Sequence, residues 1–247
     1  MPRVRREFVP GVSVHLMQRG HNRMVVFHDA ADHMAFLAQL HYCLADHDLV
    51  AHGFVLMDNH FHLIATPGDS VAIPCFMKQV TGRYTGYYNR RYGRIGTAWN
   101  GRYRPKVIGD ETYWLTCLIY VEQNPVRAKM VATPDEYRWS SYAAHAWGEW
   151  PDWLMPHPVY LGLGRTPSER QETYRKLCAC GLAEDELALV RCGLPKGSTP
   201  YPRRTSTANV GAIAAGYSRP GMSADLGSDP RSDVDSSRTT GNYLRVR

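Results

Sequence analysis

Apolar and polar residues alternate loosely over residues 12–18 (Val-Ser-Val-His-Leu-Met-Gln), which predicts a strand. From Ala30 to Ala45, Met34, Leu37, Leu40 and Leu44 recur at helical spacing behind the acidic start Asp29 and Asp32, predicting a helix. Leu49–Met57 and His60–Thr66 are two apolar runs separated by the turn pair Asp58-Asn59, and they predict a hairpin. Ile73–Tyr92 is helical in pattern until Gly93 and Gly96 break it, and Gly101–Ile108 follows as a fourth strand. Glu111–Gln123 reads as a further helix, its end fixed by Pro125.

The order β-α-β-β-α-β followed by a helix predicts an α+β chain with the ferredoxin-like split βαβ arrangement, an antiparallel sheet with helices on one face. Residues 1–147 form the expected catalytic-type domain. Residues 148–195 form a helical extension, with Trp139, Tyr142, Trp147, Trp150 and Trp153 marking surfaces that must be covered. From Lys196 the chain turns to Ser, Thr, Gly and Pro, which bury too little to offset ordering entropy, so 196–247 is expected to be disordered.

The chain has 247 residues, 44% apolar and 21% charged, an ordinary globular composition without an apolar run of membrane-spanning length. The basic start Met1–Glu7 leads into no apolar core and does not read as a secretory signal, so the expected location is the cytoplasm, at the nucleoid. Six scattered cysteines without a CxxC pair read as reduced thiols. The close pair Cys178-Ala179-Cys180 has no partner pair at zinc spacing.

Net charge is +6, of which +4 falls in the tail, and a polyanionic partner is compatible with it. From Lys78 to Lys106 there are eight basic residues (Lys78, Arg83, Arg90, Arg91, Arg94, Arg102, Arg104, Lys106) and no acidic one. Tyr84, Tyr87, Tyr88, Tyr92, Trp99 and Tyr103 are interleaved with them. Such a span fits phosphate contact with base stacking on the rings, or a solvated helix face whose tyrosines pack inward.

In Asn59-His60-Phe61-His62, strand alternation puts His60 and His62 on one face and Phe61 on the other. Two imidazoles so placed can hold one divalent ion, or they can be two half-exposed histidines without a ligand. In Tyr120-Val121-Glu122-Gln123-Asn124-Pro125, helical spacing points Tyr120 and Asn124 the same way. A phenol and an amide oxygen together suit a nucleophile and a third ligand. The structural alternative is a core tyrosine and a helix-ending Asn.

Four blocks in order carry a family likeness: Arg19-Gly20-His21-Asn22-Arg23, Met57-Asp58-Asn59-His60-Phe61-His62, Gly101-Arg102-Tyr103-Arg104 and Tyr120-Val121-Glu122-Gln123-Asn124-Pro125-Val126-Arg127-Ala128. Over roughly residues 1–147 the chain resembles the HUH-type single-tyrosine transposases, and among them the REP-associated tyrosine transposases. The resemblance implies a ferredoxin-like domain that cuts and rejoins single-stranded or hairpin DNA as a monomer or dimer. It implies His60, His62 and Asn124 as ligands of Mg²⁺ or Mn²⁺, Tyr120 as nucleophile and Tyr113, two turns earlier, as its reserve. Where the insertion-sequence relatives usually have Gln, this chain has Asn124, one methylene shorter. Lys78, Arg83, Arg90, Arg91, Arg94, Arg102, Arg104 and Arg127 are the expected DNA contacts. Two rivals are a noncatalytic single-stranded nucleic-acid-binding module and a zinc hydrolase using His60 and His62.

Overall fold

The computed structural model describes residues 8–192, and in it the four predicted strands and the three predicted helices of the first 123 residues fall close to their expected positions, with five further helices after them. The tail expected at 196–247 lies outside the described residues. Strands β1 (Val14–Arg19), β2 (Leu49–Met57), β3 (His60–Pro67) and β4 (Arg104–Val107) form one sheet in the order β2-β3-β1-β4, with every neighbouring pair antiparallel. Helices α1 (Ala30–Ala45) and α2 (Ala72–Tyr92) supply the crossovers, giving the ferredoxin-like α+β arrangement.

Local chemistry sets the boundaries. Asp29 caps α1 by accepting from the backbone N–H groups of Ala31 and Asp32, and Asp110 caps α3 (Glu111–Glu122) by accepting from that of Tyr113. Gly93, at φ +60°, ends α2 in the left-handed conformation that lacks a penalty for glycine.

Alternation divides the sheet between two cores. Val14 and Leu16 of β1, Phe54 and Leu56 of β2, and Phe61, Leu63 and Ala65 of β3 pack under α1 and α2. The buried stripe of α1 is Phe36, Leu40, Cys43 and Leu44. Met34, expected on that stripe, is 53% exposed, because Asp32 and His33 take the buried positions one turn earlier.

The helices expected on one face are α1 and α2; the other face is covered as well. There α3, α5 (Tyr142–Trp147), α7 (Pro167–Cys180) and α8 (Glu184–Cys192) build a second cluster with Val55, Met57 and Ile64, on both sides of residue 147. The approach of α3 is close. A Cβ on Gly53, at the β2 bulge, would lie 2.5 Å from Leu118 Cδ1, so only glycine lets the helix settle there.

The outer edge of β2 is occupied too. Leu56 N–H donates to Trp139 O, Ser141 N–H to Phe54 O and Met155 N–H to Ala51 O, at 2.9, 3.0 and 2.9 Å. Cys178 is buried and Cys180 exposed, so the close cysteine pair does not present two thiols to one site. Among the described residues no helix is long and apolar enough to cross a membrane.

Candidate active site

The second face carries the candidate residues His60, His62 and Tyr120. His60 and His62 project from β3 beneath α3, with ring centroids 5.1 Å apart. The strand register adds what the sequence pattern could not. On β1, His15 pairs with Ile64, Met17 with His62 and Arg19 with His60, so His15 and Arg19 share the histidine face. The two inner rings meet directly, with 2.7 Å between His15 Nε2 and His62 Nδ1. On the outer side 2.7 Å separates His60 Nδ1 from Asn59 Oδ1.

Both histidines of the pair therefore have Nδ1 oriented by a neighbour, which leaves each Nε2 for a ligand, as metal-binding imidazoles are commonly arranged. Burial pushes the His60 ring down to about 4, with Arg19 adding to it, and holds His62 well below the usual histidine range, with His15 next in effect. Both are neutral at pH 7, the form that can donate a lone pair to a cation. His15 is pushed down to about 3 by burial and then by Lys106, and its Nδ1 is buried without a hydrogen-bond partner.

Helix α3 brings Tyr120 over this pair. Its ring lies 6.2 Å from that of His62 and 6.3 Å from that of His15. Arg127, from the short helix α4 (Asn124–Arg127), stacks its guanidinium 4.0 Å above the Tyr120 ring and donates to Tyr120 O at 2.6 Å. Its Nη1 is buried without a partner. Tyr120 is partly exposed, whereas Tyr113 is 3% exposed in the second core, its phenol raised far above the ordinary range by burial. Tyr113 is thus a core residue, out of reach of a polymer substrate.

Asn124 does not extend the tyrosine helix. The helix stops at Glu122, and Asn124 opens α4 after Gln123. Its amide nitrogen donates back to Tyr120 O and Val121 O at 3.1 and 3.2 Å, which spends the NH₂ group and leaves the oxygen as the donor atom available to a cation. Among the described residues no three His, Cys, Asp or Glu side chains converge as a metal-holding group. The histidine pair by itself offers two neutral nitrogens, which suit a borderline divalent ion with positions left for other donors.

Glu122 is the residue whose role the sequence did not disclose. It is fully buried, and its carboxyl accepts from Ser141 Oγ at 2.5 Å, from Tyr174 OH at 2.6 Å and pairs with His145 Nδ1 at 2.8 Å. The end of the tyrosine helix is thereby fastened to α5 and α7.

The predicted basic contacts separate into groups. Lys78, Arg83, Arg90, Arg94, Arg102 and Arg104 are exposed. Arg83 bonds Gln39 and stacks over Tyr42. Arg91 is bound internally, to Asp29 and to the fully buried Asp32, each at 2.6 Å. The stacking role expected of the interleaved aromatics fails for four of them: Tyr84, Tyr88, Trp99 and Tyr103 are 0%, 2%, 3% and 8% exposed and belong to the first core. Arg91→Ala is expected to lower unfolding free energy, since it strips a charged donor from the buried Asp32 carboxyl. In urea melts that loss should appear with no change in the salt slope of DNA binding; a flatter slope would return Arg91 to the phosphate interface.

A family model described as "Transposase IS200 like" matches residues 8–124. The chain is similar to a solved REP-associated tyrosine transposase bound to a REP hairpin, at 16% identity and TM-score 0.51 over 64% of this chain and 93% of that one. It also matches a crystal structure of a putative transposase from Deinococcus radiodurans R1, at 21% identity and TM-score 0.35 over 45% of this chain and 89% of that one. No curated protein sequence matches the chain.

Proposed function

Residues 8–124 belong to the IS200-like transposase family, and from that premise we propose that this chain cuts and rejoins single-stranded, hairpin-bearing DNA through a tyrosine ester. The observation that carries the reading is the placement of a partly exposed Tyr120 6.2 Å from the His62 ring, with the Arg127 guanidinium 4.0 Å above it. The solved relative bound to a REP hairpin supports a hairpin as the DNA form.

Tyr120 Oη attacks the scissile phosphorus, the Oη–P bond forms and the P–O3′ bond breaks. The phenol gives up one proton and the departing 3′ oxygen gains one. The products are a 5′-phosphotyrosine and a free 3′-OH. Because the ester keeps the energy of the phosphodiester, attack by another 3′-OH reverses the step and joins strands without a nucleotide cofactor. Arg127 holds positive charge against the ring and offers its unpartnered Nη1 to a phosphate oxygen. A Mg²⁺ or Mn²⁺ ion held by His60 and His62 Nε2 and the Asn124 amide oxygen would supply polarisation of the phosphate when bound. His15 and Asn59 keep the two ligand rings turned for that duty.

The test is incubation with a single-stranded hairpin oligonucleotide and Mg²⁺ or Mn²⁺, followed by denaturing electrophoresis. A covalent protein–DNA adduct that EDTA suppresses is the expected result. Hairpin binding without an adduct would make the chain a binding module, and cut DNA without an adduct would make it a hydrolase.

A further inference from the structure

A cavity of ≈ 150 Å³ is lined by Arg19, Arg23, Arg102 and Arg104 with no carboxylate in its lining. A dry cavity of about that size admits a benzene molecule, so a phosphate group fits within it. Gln18 is also in the lining, and its side chain donates to Gly101 O at 3.2 Å. Arg19 Nε is buried without a hydrogen-bond partner, a charged donor left idle in the folded protein.

The rim is held in place by unusual backbone. Asn22 and Arg23 are both left-handed, at φ 49° and 60°, a conformation that arginine adopts at a cost. The turn is pinned at its base, because a Cβ on Gly20 would lie 2.4 Å from Met24 O, and by Asn59, whose amide donates to Arg23 O at 3.2 Å. The residue that orients His60 thus also holds the arginine turn.

Register places the pocket relative to the chemistry. Arg19 stands directly opposite His60, and Arg104 stands opposite Met17, which stands opposite His62. Arg19 and Arg104 therefore lie one and two strand spacings, about 5–10 Å, from the histidine strand on the same face. Four guanidiniums facing one cavity repel each other unless an anion sits among them, and the planar fork of arginine matches phosphate oxygens in pairs.

We propose that this pocket holds a backbone phosphate of the single strand next to the one Tyr120 attacks, an anion subsite separate from the histidine pair. The proposal rests on the transposase reading and assigns the register of the strand rather than the chemistry. Arg23 and Arg102, both exposed, are the residues to remove.

The full chain and the double variant Arg23→Ala/Arg102→Ala are titrated with a hairpin oligonucleotide carrying single-stranded flanks, across a range of salt. Loss of this one phosphate contact should reduce the slope of log affinity against log salt by about 0.7. The charge-matched double variant Arg165→Ala/Lys176→Ala, exposed on the extension, should keep the native slope. A neutral methylphosphonate linkage, walked along the flanks, should weaken the native protein at one position beside the cleavage site and leave the arginine variant unmoved there. If the arginine variant keeps the native slope, or no position shows this loss of sensitivity, the pocket is not a phosphate subsite, while adduct formation by the native chain keeps the wider reading. A native chain that neither binds nor cuts the hairpin would overturn both.

Discussion

Tyr120→Phe yields no covalent adduct with hairpin DNA at any metal concentration, while hairpin affinity stays within a factor of about two. The change deletes one hydroxyl and keeps the ring, so the Arg127 guanidinium retains its 4.0 Å stack and its bond to Tyr120 O. Phosphate contacts made by side chains elsewhere are untouched, and those dominate affinity. The reserve tyrosine is poorly placed to take over: Tyr113 is buried in the second core, and its phenol is held far from ionisation. His62→Ala is the informative companion, because it keeps the hydroxyl, opens the ligand set and leaves His15 Nε2 without its partner. It should lose metal-stimulated cleavage with Tyr120 intact. An adduct formed by Tyr120→Phe and lost in Tyr113→Phe would move the nucleophile.

Glu122→Ala should lower stability by about 3–5 kcal/mol, the cost of removing one member of a buried polar cluster. The carboxyl receives Ser141 Oγ and Tyr174 OH and pairs with His145, all within 2.8 Å and all buried. Alanine would leave these buried groups without their shared acceptor. Glu122→Gln keeps the shape and two of the bonds, so about 1–2 kcal/mol is expected there. Denaturant melts followed by tryptophan fluorescence measure both, and equal stability of Glu122→Ala and native protein would show the cluster to be incidental. Since Glu122 follows Tyr120 by two residues, surviving Glu122→Gln protein should also show a slower adduct rate at unchanged hairpin affinity, which a purely global loss of stability would not produce.

The elements were legible because each carries a local signal. The α1 and β2 bounds coincide with the pattern, and Asp29, Asp110 and Gly93 mark ends by their own hydrogen bonding or conformation. Of the candidate site, the shared face of His60 and His62 was legible from strand alternation, and Tyr120 was put forward by its helix and the family likeness; the structure brings the three rings together. His15, Arg19 and Glu122 were not, because their meaning depends on which strand lies beside β3 and which helix lies beside α3, facts that no local window contains. The tyrosines of α2 misled for the opposite reason. Phe76, Val80, Tyr84 and Tyr88 fall four apart and form one buried stripe. The helical period that identified the helix also marked its rings as core, and the arginines between them drew attention to the wrong face.

The manner in which the sheet ends bears on how the protein behaves when crowded. An open sheet offers unpaired N–H and C=O groups along its outermost strands, and these template growth into aggregates. Here β4 runs only four residues, Arg104–Val107, carries Pro105, which has no N–H to offer, and flanks it with Arg104 and Lys106. At the far side, the segment from Trp139 to Met155 takes up the outward backbone groups of β2 through Leu56, Phe54 and Ala51. One border is too short and too charged to recruit a strand, and the other is already sealed by the chain itself. Copies of this protein at high concentration can therefore be packed side by side without their sheets fusing into fibres.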